Sequence, residues 1–305
     1  MNKIQLLVTI AAVAVMASCE PDRPEGGLTH GDNAEKIPDS TMHDLMPSDT
    51  LFYLVQGFNK TSSVCVSDTA DCASFKSSFP VIEARLHGQV SDSVNNFIRQ
   101  KLYSPLIGDK PANGINDLLA PYFDAYDQAK RENSSKGESH TPAWYFSRYF
   151  TIYENTPRIF SLAHHEQSYA GGAHPNQFVN YYHFNPGSGS RMTATDVFKP
   201  GYQATITKMA EKKFLRKMQL PAGSNLEDQG FWFKDNVFTL PQNFILTEKG
   251  VKFYYNPYEV AAYALGKIEI SFTYKEVESW LRDEFNPVKI EEKKQQEAAE
   301  SVKAK

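Results

Sequence analysis

Between Trp144 and Asn185 three runs rich in aromatic and β-branched residues follow one another with only short polar breaks: Trp144 to Tyr153, Arg158 to Tyr169 and Gln177 to Asn185. Runs of this length and composition read as strands. The last feeds Pro186-Gly187-Ser188-Gly189-Ser190, a hairpin turn whose glycines admit positive φ. A second hairpin follows, with Phe244 to Leu246 and Val251 to Tyr255 around the turn Glu248-Lys249-Gly250, and Ile268 to Phe272 alternates as a further strand. Hairpin signals outnumber any strand-helix-strand rhythm. The fold class is therefore α+β, antiparallel sheet with packed helices, in two closely associated lobes.

The first half has strand composition at Thr50 to Phe58 and Phe79 to Leu86, and then turns helical. Ser91-Asp92-Ser93 offers caps before Val94, Phe97, Ile98 and Leu102, and a second amphipathic helix fits Ile115 to Glu132, with Pro121 as its kink or true start. The polar run Glu132 to Ser139 marks a boundary between lobes. In the second half Tyr202 to Leu220 and Tyr274 to Leu281 read as helices. Beyond Pro287 the composition is Glu, Lys, Gln and Ala, a solvated or frayed tail. The expected organisation is a lipoprotein signal peptide over 1–18, a flexible tether over 19–47, an N-terminal α+β lobe over 48–140, a C-terminal domain over 141–286 and a charged tail over 287–305.

The N-terminus reads as an address. Lys3 precedes an apolar run, Ile4 to Met16, too short to cross a bilayer that needs about 20 residues. Met16-Ala17-Ser18-Cys19 closes it in the order of a secretory signal. The small residues before the cysteine resemble the lipobox of bacterial lipoproteins, which implies cleavage before Cys19 and acylation of that residue, palmitate included. The place implied is the bacterial cell envelope, lipid-anchored, at the outer membrane or cell surface. The Pro, Gly and charge that follow suit a tether. Cys65 and Cys72 are then an isolated pair outside the reducing cytosol, expected to form a disulfide across a polar loop. A mean hydropathy of −0.47 excludes a polytopic membrane protein. With 32 Lys and Arg against 36 Asp and Glu, net charge −4, nothing marks a nucleic-acid partner.

Three stretches of the second half, in this order and spacing, resemble the RsiV-type extracytoplasmic domain. They are Tyr169-Ala170-Gly171-Gly172-Ala173-His174-Pro175 followed by Tyr181 to Asn185; Thr195-Asp196-Val197-Phe198; and Phe253 to Ala261, containing Asn256-Pro257-Tyr258-Glu259, with Gly266. The likeness covers roughly Trp144 to Asn286, and the first half is more loosely similar to the companion segment that precedes this domain. The resemblance implies a non-enzymatic binding role: such domains occur in an anti-sigma factor that senses lysozyme by binding it, beside a peptidoglycan deacetylase, and in lipoproteins. The implied partner is a lysozyme-like protein or peptidoglycan glycan. Three residues before the apolar run leave no cytoplasmic anti-sigma segment, and there is no T-F-D-D segment or H-x-x-x-H pair for a deacetylase. Gly171-Gly172 and Asn256 to Tyr258 read as structural turns.

Chemistry beyond binding has one basis. His164, His165, His174 and His183 lie within 20 residues, and His165, His174 and His183 with Glu166 as base make the alternative, an envelope metallohydrolase acting on peptidoglycan or glycan. The spacing matches no H-E-x-x-H, G-x-S-x-G or phosphate-loop pattern, and no catalytic residue, metal or cofactor is assigned. Of 16 Tyr, 20 Phe and 3 Trp, Trp144 and the loop-like Phe231-Trp232-Phe233 are the candidate binding aromatics, with a core role as the competing reading.

Overall fold

The computed structural model describes residues 6–10, 51–62, 72–83, 88–138 and 140–303. Cys19, Cys65 and the expected tether lie outside them. The strands form two sheets, one ordered β1-β2-β3-β4-β5-β6-β7 and one ordered β10-β9-β8. By contacts the chain divides into two units whose segments alternate: 1–157, 163–177 and 186–189 in the first, 158–162, 178–185 and 190–305 in the second. The division therefore runs through strands and not through the polar run at Glu132 to Ser139.

In the first unit β1 (Leu6–Ile10) pairs antiparallel with β2 (Tyr53–Thr61), which pairs antiparallel with β3 (Ser74–Ile82), Tyr53 opposite Ile82 and Thr61 opposite Ser74. β4 (Tyr145–Asn155) then joins β3 in parallel, Ser74 opposite Tyr145. One parallel pair thus lies beside the antiparallel pairs of this α+β fold. A parallel pair needs a crossover of a dozen residues or more. Here it contains two helices, α1 (Gly88–Leu102) and α2 (Ile115–Ser135). α2 runs through Pro121 from a start at Ile115, so the proline is not its first residue. Leu118, Leu119, Tyr122 and Tyr126 of α2 and Phe58, Phe75 and Phe146 of the strands form the core of this unit.

The second unit is built on β6 (Asn176–Phe184), β7 (Arg191–Met192), the short α3 (Ala194–Val197), α4 (Tyr202–Lys217) and the sheet of β8 (Phe244–Thr247), β9 (Gly250–Tyr255) and β10 (Ile268–Thr273). β5 (Phe160–Tyr169) is divided between the units. Ile206, Ala210 and Phe214 recur on one face of α4 and are buried among Phe231, Phe233, Phe238, Phe253 and Phe272. The short α5 (Tyr274–Val277) follows β10, its start closed by a Thr273–Glu276 capping box.

The expected frayed tail is instead α6 (Pro287–Lys303). The Asn286 side chain accepts from the Val288 N–H at 3.0 Å, and Pro287 stands at the first helical position, where its missing N–H is harmless. Lys289–Glu292 and Lys293–Glu297 pairs support the exposed helix. Among the described residues no helix is long and apolar enough to cross a membrane.

The β8–β9 turn leaves no room for a side chain. Gly250 has φ 150°, and a Cβ there would stand 1.8 Å from the carbonyl oxygen of Phe272 on β10. Gly250→Ala must break the β9–β10 pairing to relieve this clash. The expected loss is about 3 kcal/mol or more in urea unfolding of the purified chain, and a loss below about 0.5 kcal/mol would contradict the packing at this turn.

Candidate functional site

The histidines do not assemble into a site. His183, on β6, is 1% exposed and held on both sides: Nε2–H donates to the Phe244 carbonyl at 2.9 Å, leaving Nδ1 to accept from the Ser161 hydroxyl at 2.9 Å. Burial holds it neutral, its pKa lowered to about 4. His165 stacks on Tyr149 at 4.6 Å, and the exposed His174 Nδ1 lies 3.1 Å from the Pro175 carbonyl. His164 is buried against Phe150 at 4.4 Å, and burial, then Arg148 nearby, lowers its pKa to about 3. Among the described residues no group of three or more His, Cys, Asp or Glu side chains comes together as a metal site. The hydrolase arrangement of His165, His174 and His183 thus has no geometric support.

Glu166, the candidate base, is committed elsewhere. Its Oε2 accepts from Arg148 Nε at 2.6 Å, while Arg148 Nη1 donates to the carbonyls of Leu102 at 2.7 Å and Ser104 at 2.8 Å. Burial pushes the carboxyl up and the guanidinium draws it back. Arg148 is only 1% exposed, so the pair joins β4, β5 and the end of α1 and is structural.

Of the candidate aromatics, one faces solvent. Phe231 and Phe233 are buried, with their rings 4.9 and 5.5 Å from Phe214. Trp144 packs on Tyr126 at 5.5 Å and Tyr122 at 6.1 Å. These three belong to the cores. Trp232, between two buried phenylalanines, is 55% exposed, with its backbone N–H donating to the Val260 carbonyl at 2.8 Å. That bond places it beside the Asn256 to Glu259 turn.

The residues of that turn have separable roles. Buried Asn256 accepts from the Val179 N–H of β6 at 2.8 Å, and the Glu259 carboxylate accepts from the Asn256 backbone N–H at 2.9 Å and side-chain amide at 3.1 Å. Tyr258 has φ 68°, unusual for a bulky residue, and is 49% exposed, its ring 5.6 Å from that of Tyr263. Leu265 nearby in the chain is 50% exposed. The Gly171-Gly172 turn between β5 and β6 has φ 85° and 99°, and Tyr169 donates to the Gly172 carbonyl at 3.1 Å, in keeping with a structural role. Cys72 is buried before β3, and its expected partner Cys65 lies outside the described residues.

The second unit also holds an open cleft of about 1040 Å³, which nothing in the sequence patterning signalled. Its walls are β6, the Arg191–Thr195 segment, the first turns of α4, the Phe238–Phe244 segment and the end of β9 with the turn that follows it to Val260. These elements are distant in sequence, and no short motif could have gathered them.

The fold and these sites define an α+β protein of two units with buried polar straps and no assembled catalytic constellation among the described residues. Residues 195–275 match the family described as "Protein of unknown function (DUF3298)" and residues 66–177 the one described as "Deacetylase PdaC". A DUF3298 family protein from Bacteroides fragilis is similar in structure, with TM-score 0.61 and 20% identity over 78% of this chain and 96% of that one. A second, from Pseudomonas aeruginosa, has TM-score 0.52 and 14% identity over 78% and 97%. At these identities the likeness shows the fold. No curated protein matches the sequence.

The buried histidines make stability depend on acid. Both pKa values lie below the ordinary 6.5, so the unfolded chain takes up protons first and stability falls as pH drops from about 6.5 toward 4. The expected slope approaches about 1.4 kcal/mol per pH unit for each histidine. Urea unfolding between pH 7.5 and 4.5 should show it, with a shallower slope in His164→Leu. A flat profile would contradict their burial as neutral rings.

Proposed function

We propose that this chain is a cell-envelope lipoprotein, acylated at Cys19 and tethered through residues 19–47, that acts as a non-enzymatic binding protein for a lysozyme-like muramidase or its glycan. The observation that carries the reading is the exposed aromatic surface around the Asn256–Glu259 turn. Trp232 and Tyr258 stand out from a unit whose other large aromatics are mostly buried, and Tyr258 does so on a left-handed backbone. Exposed, pre-positioned Trp and Tyr are what binding hot spots use. The DUF3298 match over 195–275 spans this surface and fits the RsiV-type resemblance. Cleavage before Cys19 would remove β1 and leave the β2 edge open.

Charge supports the same partner. Loss of Lys3 with the signal leaves 31 cations against 36 acids, a net of −5, which favours encounter with a basic muramidase and makes that encounter weaken with salt. Calorimetry of the processed protein with lysozyme should give micromolar or tighter binding, and Trp232→Ala should weaken it about 30-fold through faster dissociation. Absence of binding to both lysozyme and peptidoglycan fragments overturns the reading, as does product release from cell wall by the purified chain.

The anchor and the thiols are tested separately. Mass spectrometry of protein from its native membrane should find a chain beginning at an acylated Cys19. Alkylation without reductant should leave Cys65 and Cys72 unlabelled, whereas quantitative labelling of either would rule out the proposed disulfide.

A further inference from the structure

The larger sheet has two unlike faces in the first unit. Phe75 and Ser77 of β3 and Phe146, Arg148 and Phe150 of β4 alternate on the buried face. The residues between them point the other way, and there Ser74, Lys76 and Ser78 of β3 stand opposite Tyr145, Ser147 and Tyr149 of β4. Tyr145 and Tyr149 are four residues apart on one face of one strand, so their Cα atoms stand about 13 Å apart along it.

Each of these tyrosines is covered on one side only. Tyr149 stacks on His165 of β5 at 4.6 Å and 7°, and Tyr145 on Tyr169 at 6.3 Å and 29°. Rings stacked across neighbouring strands stand up from the sheet, so the second face of each tyrosine is turned over β3. The residues directly opposite there, Ser74 and Ser78, are too small to cover it. Tyr145 is 37% exposed, and among the described residues neither tyrosine has another ring partner.

Between the two rings the surface is polar and nearly without charge. Asn59, Lys76 and Ser147 form a row across β2, β3 and β4. Asn59 Oδ1 is buried with no hydrogen-bond partner, and Leu7 opposite it would leave with the signal peptide, opening that acceptor. Lys76 is the one Lys or Arg at the outward positions of β3 and β4, and no carboxylate occurs there. A strip with a single cation does not track a phosphate backbone. Hydroxyls interleaved with upright rings also lack the desolvated pocket that a protein anchor fills. They match a neutral sugar chain, whose C–H faces pack on aromatic rings while its hydroxyl and amide groups meet polar side chains.

We propose that this face of the first unit binds an extended chain of neutral sugars, with sugar C–H faces on Tyr145 and Tyr149 and the polar groups between them on Ser147, Lys76 and Asn59. The inference rests on the binding reading above and deepens its glycan side, giving the glycan a site of its own away from Trp232. Two sources share the chemistry, an acetamido sugar chain and a plain glucan.

The test is calorimetric titration of the processed protein with the N-acetylglucosamine hexamer and with cellohexaose. At least one should saturate, and the tighter of the two identifies the source. Tyr145→Ala and Tyr149→Ala should each weaken it about tenfold, whereas Tyr145→Phe, which keeps the ring face, should stay within about threefold of the parent. Ser78→Trp, which fills the strip from β3 without removing either tyrosine, should block binding with an unchanged melting curve and guards against misfolding of the alanine variants. Binding should not change with salt, because the ligand is neutral. No saturation by either hexamer below about 10 mM, or unchanged affinity in Tyr145→Ala, Tyr149→Ala and Ser78→Trp, overturns the inference. Loss of hexamer binding in Trp232→Ala also overturns it, by placing the sugar at the other surface. Lysozyme binding without hexamer binding would sink the sheet site and leave the docking surface standing; hexamer binding without lysozyme binding would do the opposite.

Discussion

Asparagine side chains standing in for strand partners are the interaction on which both units depend. Asn95 on α1 accepts from the Ile82 N–H at 2.8 Å and donates to its carbonyl at 2.9 Å, and Asn155 does the same for Leu51 at 3.0 and 2.8 Å. In the second unit Asn243 accepts from the Tyr181 N–H at 2.8 Å and donates to the Val179 carbonyl at 2.7 Å, while Asn256 takes the Val179 N–H. A buried strand group without a partner costs about 1 to 3 kcal/mol, so these amides decide where strands can stop. Only an amide serves, because it offers one donor and one acceptor at the spacing of a peptide. Aspartate could accept from the N–H but would face the carbonyl with a like partial charge.

The same accounting explains why four histidines close in sequence are not one site. His164 and His165 are neighbours on β5, and successive strand residues point to opposite faces. One stacks on Phe150 and the other on Tyr149. His183 has both ring nitrogens engaged in the core of the other unit, and its burial favours the neutral ring. Arg148 then takes Glu166 as its counter-charge. Clustering along the chain brought these groups no nearer in chemistry, since each was captured locally by an aromatic ring, a hydroxyl or a guanidinium.

Strands, the two amphipathic helices and the hairpin at Gly250 were legible because alternation, a 3.6-residue period and turn residues act locally. The parallel pairing of β3 with β4 was not, because alternation states which face of a strand is buried and says nothing about its neighbour. The tail helix was missed for a different reason: α6 has almost no apolar face to detect, and its signal is the Asn286-Pro287 start with spaced Lys and Glu. Within Phe231-Trp232-Phe233 the period of two was decisive. An extended segment that buries residues 231 and 233 must present residue 232, so treating the three as one candidate concealed the only one that faces solvent. The cleft was beyond reach, its walls being five separate segments.

The Asn256–Glu259 turn ties these levels together. Asn256 reaches back to β6 and is held in turn by Glu259, which clamps both its backbone N–H and its amide. Between the two ends of that clamp, Tyr258 occupies a left-handed conformation that costs an L-residue about 1 to 2 kcal/mol. The clamp over-determines the backbone and so sustains the strain, which holds the half-exposed tyrosine ring against that of Tyr263. Glu259 and Val260 belong to the cleft wall as well. A single buried amide therefore sets the shape of an exposed aromatic surface and of an adjoining polar cavity, and the four residues Asn-Pro-Tyr-Glu form a structural element whose rigidity is what both surfaces have in common.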